Sequence, residues 1–302
     1  MGGRWMRGAG GRWLLFVFLA RLPRESYPSA VEGVCRAAAM GDVQSLQRLC
    51  IVQADGVGNG GSGWNALVCT PDENGMYPSH HAAMAGCVES LRAMHGMSPD
   101  SLQCLDSNKR TPSHYAAQWG HVGALRVLGE LSDSESVSKA DRFLRTPVHL
   151  AAEGGHDKVL QALSEMGQNL SPRDSLGRFP SHLAAASGRV SSLRALHQLG
   201  ATMSIEAGDR YMRTPAHHAA ETGHWEVLPV IQELCGGETL SAEDCDGRAP
   251  ANLAAQAGQV RALETLSDLG AWVGQSLMKT AREQRPFTSS DVARAFPVPH
   301  AA

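Results

Sequence analysis

Thr146-Pro147-Val148-His149-Leu150-Ala151-Ala152, followed by Glu153-Gly154-Gly155-His156, is the stretch on which the fold turns. Its proline is one of six, at 78, 112, 147, 180, 215 and 250, spaced 34, 35, 33, 35 and 35 residues apart. Random loop punctuation is not that regular. Each of these prolines has an Asp six residues before it (Asp72, Asp106, Asp141, Asp174, Asp209, Asp244) and a Gly eight residues after it (Gly86, Gly120, Gly155, Gly188, Gly223, Gly258). An Ala pair occupies the fourth and fifth positions after each proline, from Ala82-Ala83 to Ala254-Ala255. One unit is repeated six times.

Physical chemistry gives each unit a shape. In Thr111-Pro112, Thr146-Pro147 and Thr214-Pro215 the Thr is placed to cap a helix, and Pro sits at the first helical position, where no N–H is needed. The Gly eight residues on can take the left-handed conformation that ends a helix of about two turns. A second helix carries a one-sided apolar stripe, as in Leu125, Leu128 and Leu131 or Leu193, Leu196 and Leu199. Two such short helices do not hold together alone, so neighbouring units must stack to bury their stripes. Residues 33–50 fit the same register without the proline, through Ala37-Ala38, Gly41, Leu46 and Leu49.

The quoted stretch resembles the ankyrin repeat signature, T-P-L-H-x-A-A-x-x-G-H, and the resemblance covers residues 31–273. It implies an all-α, ankyrin-type solenoid of about seven stacked helix pairs with β-turn or hairpin fingers, whose fingers and inner helices bind other proteins. The expected organisation is a disordered leader at 1–30 and a first capping repeat at 31–50. A glycine-rich insertion at 51–73, six repeats at 74–273, and a C-terminal capping helix (276–285) and tail within 274–302 follow. Tyr77, Phe179 and Ala249 replace the capping Thr, which forfeits about 1 kcal/mol each if nothing substitutes. Asn252 replaces the signature His in the last unit, and Pro229 falls near the first turn of the sixth unit's second helix. Repeats two, five and seven are expected to be the softer ones.

Composition narrows the function. With 302 residues, 43% hydrophobic and 19% charged, the chain can bury a core, and its net charge of -3 provides no global basic field for nucleic acid. No apolar run reaches the roughly 18 to 20 residues that span a bilayer. Seven cysteines, an odd number without a C-x-x-C pair, read as reduced thiols of a cytoplasmic protein. Arg4, Arg7 and Arg12 ahead of the apolar 13–20 weakly resemble a secretory signal, but Arg21, Pro23, Arg24 and Glu25 stand where small residues would permit cleavage. Asn169-Leu170-Ser171 is a lone glycosylation match that decides nothing.

Thirteen histidines invite a metal or catalytic reading, and His80, His114, His149, His182 and His217 recur in register. Zinc needs ligands about 2.1 Å from one ion, whereas equivalent positions of stacked helices lie about 8 to 10 Å apart, so no single ion bridges this ladder. In the resembled family this His ties its own turn to the neighbouring repeat, and His121, His156 and His224 belong to the same signature. Gly58-x-Gly60-x-x-Gly63 matches a dinucleotide-binding string but interrupts helical repeats instead of opening a βαβ unit. No catalytic constellation remains, so no enzyme activity, metal or cofactor is expected.

Partner choice is then left to the variable positions. Asp141-Arg142-Phe143-Leu144-Arg145, Ser175-Leu176-Gly177-Arg178 and Asp209-Arg210-Tyr211-Met212-Arg213 form fingers in which Arg recurs two residues before the proline. Trp119, just before a terminating Gly, extends the surface. The expected partner site is Trp119, Arg142, Phe143, Leu144, Arg145, Leu176, Arg178, Arg210, Tyr211, Met212 and Arg213, receiving an acidic, partly apolar segment of a protein. Pairing of each Arg with the register Asp accounts for the Arg row equally well, and that choice stays open here. Leu144 and Met212 stand where Gly is expected, and no turn requires an exposed apolar residue. The resulting expectation is a monomeric, non-catalytic scaffold or adaptor. Nucleic-acid binding through the Arg row, or a regulatory part of a larger enzyme, are the alternatives.

Overall fold

The computed structural model describes residues 30–54, 67–132, 135–271, 273 and 278. The expected leader up to residue 29, the glycine-rich stretch 55–66 and, apart from residue 278, the C-terminal cap and tail lie outside the described residues. The chain divides into two units, Met1–Arg142 and Phe143–Ala302.

In the first unit the helices are α1 (Ala30–Met40), α2 (Val43–Ala54), α3 (Pro78–Ala85), α4 (Val88–Met97), α5 (Pro112–Gln118), α6 (Val122–Leu131) and α7 (Glu135–Ser138). Helix α2 runs four residues into the stretch read as an insertion. The second unit contains α8 (Pro147–Gly154), α9 (Asp157–Glu165), α10 (Pro180–Ala186), α11 (Val190–Gln198), α12 (Met203–Glu206), α13 (Pro215–Thr222), α14 (Leu228–Cys235), α15 (Pro250–Gln256) and α16 (Val260–Asp268). Within each unit the inner helices, proline-led except for α1, pack on one another, α1 on α3 on α5 and α8 on α10 on α13 on α15. Outer helices pack likewise, α2 on α4 on α6 and α9 on α11 on α14 on α16.

Small residues explain the close inner packing: the Ala pairs from Ala82-Ala83 to Ala254-Ala255 are buried. On the outer row Leu125, Leu128, Leu160, Leu163, Leu193, Leu196, Leu263 and Leu266 are fully buried, as the stacking argument requires. Leu131 and Leu199, read as the third residue of their stripes, are only half-buried. Extra single turns that the periodicity did not reveal seat one apolar residue each: Leu102, Val137, Ile205 and Leu240 are all buried. Pro229 occupies the first turn of α14, as expected.

All six terminating glycines are left-handed, φ 69° to 83°. At Gly86 a Cβ would also lie 2.6 Å from the ring of His121, whose Nε2 is 2.9 Å from the Met84 carbonyl one repeat back. The Gly-His pairing of the signature is thus steric as well as conformational.

The helix caps differ from the expectation. The invariant bond is made by the third helical residue: His80, His114, His149, His182 and His217 each accept the backbone N–H of the residue before the proline through Nδ1, at 3.0 to 3.2 Å. Tyr77 and Phe179 therefore keep this backbone bond and lack only the hydroxyl that Thr111, Thr146 and Thr214 place 2.9 to 3.2 Å from the same Nδ1. In the last repeat Asn252 Oδ1 accepts the Ala249 N–H at 2.9 Å, so the two departures from the signature compensate each other there. Replacing Asn252→Ala orphans that N–H and is expected to cost about 1 kcal/mol, a fall of a few degrees in a thermal melt. An unchanged melt would show the bond to be dispensable.

Candidate protein-binding surface

The fingers are tight turns, held by the register Asp at Asp72, Asp106, Asp174, Asp209 and Asp244, and no strand is formed among the described residues, so turns replace the hairpins allowed for. In Asp174 one carboxylate oxygen, Oδ1, accepts the N–H groups of Leu176 and Arg178, both at 2.9 Å. Asp209 does the same for Tyr211 and Arg213, and Asp244 for Asp246 and Arg248. Neighbouring fingers of the second unit are joined by backbone bonds, Ser175 N–H to Phe143 O (2.9 Å), Arg210 N–H to Leu176 O (3.0 Å) and Cys245 N–H to Tyr211 O (2.9 Å). These bonds align Phe143, Leu176 and Tyr211 in consecutive fingers.

Below the fingers runs the histidine ladder. With Nδ1 accepting the cap N–H, the Nε2–H of His149, His182 and His217 donates to the Arg178, Arg213 and Arg248 carbonyls of the following finger, at 3.0 to 3.2 Å. In the first unit His80 reaches the Arg110 carbonyl at 2.9 Å in the same way. The structural reading of the register histidines is the one these bonds support. Burial pushes His149 down to about 4 and His182 to about 3, and lowers His217 as well. These rings stay neutral at physiological pH, which the two-sided bonding requires.

The register arginines are engaged with carboxylates. Arg178 Nη2 and Arg248 Nη2 lie 2.8 and 2.9 Å from Asp174 and Asp244, and Arg213 Nε is 3.4 Å from Asp244 Oδ2. Arg145 Nη1 lies 3.9 Å from Glu153, and in the first unit Arg110 Nε sits 3.5 Å from Asp141. Burial opposes ionisation of Asp244, yet the bonds from the Arg248 side chain and the backbone prevail and hold its carboxyl at about 2. Of the two open readings of the Arg row, pairing with carboxylates is the one seen. The arginines brace the fingers and are not a free basic strip.

What projects is apolar. Phe143, Leu144, Leu176, Tyr211 and Met212 are exposed, Leu144 at 54% and Met212 at 61%. Both of these have φ 58° at a turn position that is Gly in three other fingers (Gly75, Gly177, Gly247) and the polar Lys109, φ 60°, in the fourth. A left-handed conformation is costly for a branched or bulky side chain. Arg210 is exposed beside Tyr211, and the Arg145 guanidinium lies 5.4 Å from the Phe143 ring centre. In the first unit Trp119, the C-cap of α5, is 46% exposed, and Arg142 is exposed with its N–H bonded to Asn108 O at 2.8 Å. The expected site residues of the second unit are therefore brought into one run of fingers, where Arg145, Arg178 and Arg213 support the projecting residues.

Sequence reasoning missed Met203, 75% exposed on α12, and Trp225, 40% exposed with Arg261 5.9 Å from its ring centre. Trp225 follows His224 in the Gly-His signature, so an aromatic one position past that motif was the available signal. Met203 had none, because α12 lies outside the repeat period.

Residues 34–139 match the family model described as ankyrin repeats (3 copies). Among solved structures, the ankyrin repeat domain of human ASB11 is 20% identical and superposes with a TM-score of 0.59, covering 87% of this chain and 100% of that one. The ankyrin repeat domain of Bcl-3, described as a unique member of the IkappaB protein family, is 19% identical with a TM-score of 0.58, covering 78% of this chain and 97% of its own. No curated protein matches the sequence. The family model thus places ankyrin repeats in residues 34–139, and the likeness to the solved structures shows the ankyrin-repeat fold over most of the chain. Among the described residues no helix is long and apolar enough to cross a membrane.

Proposed function

We propose that the chain is a non-catalytic interaction adaptor whose second unit receives an apolar segment of a partner protein on the tips of its fingers. The observation that carries the reading is the pair Leu144 and Met212, both exposed and both at a positive φ that glycine would adopt without strain. A fold gains nothing from holding large apolar side chains in solvent at such a site, whereas a docking surface does. Phe143, Leu176 and Tyr211 extend the apolar run, and Arg210 offers a cation to a carboxylate flanking the bound segment. Because Arg145, Arg178 and Arg213 already face carboxylates, the site suits a protein segment better than a polyphosphate backbone. Seven free thiols fit a cytoplasmic setting.

A photo-crosslinking residue at position 144 or 212 of the full chain tests the site. Partner adducts are expected from both positions and absent from position 161, an exposed glutamine on α9. Equal labelling from all three positions would remove the finger tips as the contact surface.

A further inference from the structure

Stacking in the first unit brings together a set of donors that is not part of the histidine ladder. There Cys35 on α1, Asp72 in the first described finger and His81 on α3 converge, with one donor atom from each within 4.8 Å of the others. Among the described residues no other three such side chains do so. We propose that Cys35, Asp72 and His81 form a binding site for a divalent cation of the zinc class.

Three features of the trio support this. First, its donors are available and oriented. Asp72 Oδ1 is used by the Asn74 and Met76 N–H groups at 2.8 and 2.9 Å, which fixes the carboxylate and leaves Oδ2 directed at His81 Nε2, 2.8 Å away. A carboxylate held by backbone donors is a pre-oriented ligand. Secondly, the register explains why only this repeat offers the site. Ala37-Ala38 align with Ala82-Ala83, so Cys35 occupies the slot of the ladder histidine. The sixth repeat has the same Asp-His pair, Asp209 Oδ2 and His218 Nε2 at 3.0 Å, but the ladder residue beside it is His182. Both nitrogens of His182 are committed, to the Phe179 N–H and the Arg213 carbonyl. A thiol in that slot has neither task.

Thirdly, the charges match. A thiolate and a carboxylate neutralise a divalent ion, which makes the assembled site tolerable where Cys35 is buried and Asp72 and His81 nearly so. Tetrahedral zinc places its ligand atoms about 3.3 to 3.7 Å apart, so small side-chain rotations close the set. One sulfur, one imidazole and one carboxylate leave a fourth position for water and select zinc-like ions over magnesium or calcium. Zinc at His81 Nε2 would leave the imidazole proton on Nδ1, and binding would release the Cys35 thiol proton to solvent. The ligands are 37 and 9 residues apart, across two repeats, which is why no spacing motif announced them.

Cobalt titration of the reduced, metal-free full chain tests the site. One equivalent of Co2+ is expected to give the visible bands of a tetrahedral ion together with a thiolate charge-transfer band in the near ultraviolet. Cys35→Ser, close to isosteric, should abolish the charge-transfer band and lower affinity by about tenfold or more. His81→Ala should weaken binding similarly. A Cys69→Ser/Cys104→Ser variant should keep both signals, which separates the site from the other thiols. Zinc, but not magnesium, should raise the melting temperature of the wild type and leave that of Cys35→Ser unchanged. Absence of a thiolate band in the folded wild type, or its persistence in Cys35→Ser, would overturn the site.

Discussion

Between pH 6.5 and pH 4 the second unit is expected to lose most of its stability, because its ladder histidines are neutral in the fold. His149, His182 and His217 each accept a cap N–H and donate to the next finger, so adding a proton to Nδ1 removes an acceptor inside a buried layer. Their folded pKa values lie below the ordinary histidine value, at about 4 for His149 and about 3 for His182. In this window the unfolded chain binds more protons than the folded one, so stability is fully present above pH 6.5 and falls as the pH drops toward 4. For His149 the gap amounts to roughly 3 kcal/mol at pH 4. Several such residues together rival the whole stability of an ordinary domain.

Circular dichroism melts across this range check the effect. The last repeat supplies the control: Asn252 makes the same cap bond without titrating. His149→Asn should therefore flatten the pH dependence, while its loss of the ladder bond lowers the melt at neutral pH. A wild-type melting temperature constant from pH 7 to pH 4 would contradict the neutral ladder.

Replacing Leu144→Gly and Met212→Gly together is expected to make the chain more stable and less able to bind. Each change relieves a left-handed strain of about 1 kcal/mol at an exposed position, so together they should raise the melting temperature by several degrees. Covered by a partner, each side chain would contribute roughly 1.5 to 3 kcal/mol, so losing both should weaken association by at least about a hundredfold. Residues important only to the fold do not move these two quantities in opposite directions. Phe143, Leu176 and Tyr211 carry no such strain signature, and Ala substitutions there should weaken binding with little change in the melt.

The repeats were legible because their positions answer to backbone demands that recur: a proline that needs no N–H, a glycine that turns left-handed, an Asp that closes a finger. Apolar finger tips were legible for the complementary reason that Leu144 and Met212 put large apolar side chains where Gly75, Gly177 and Gly247 stand and where Lys109 is polar. The cap is only half legible in sequence: the Thr before the proline is a familiar cap residue, but the bond to its N–H comes from the histidine three residues on. Tyr77, Phe179 and Ala249 therefore keep the backbone cap bond and lack only the hydroxyl contact to the third helical residue. The arginines were ambiguous in sequence, since a guanidinium four residues from an Asp serves a partner or its own turn equally well. Arg178 and Arg248 show the second use. Single turns such as α12 escaped because they lie between the periodic helices. The Cys35 trio escaped because stacking, and not spacing, brings it together.

The measurement that bears most directly on the proposed role of the fingers is quantitative affinity capture by the wild-type chain and the Leu144→Gly/Met212→Gly variant, side by side, with their melts recorded. The expected result is loss of the proteins retained by the wild type from a variant that melts higher. Undiminished capture by that variant would contradict the finger-tip site.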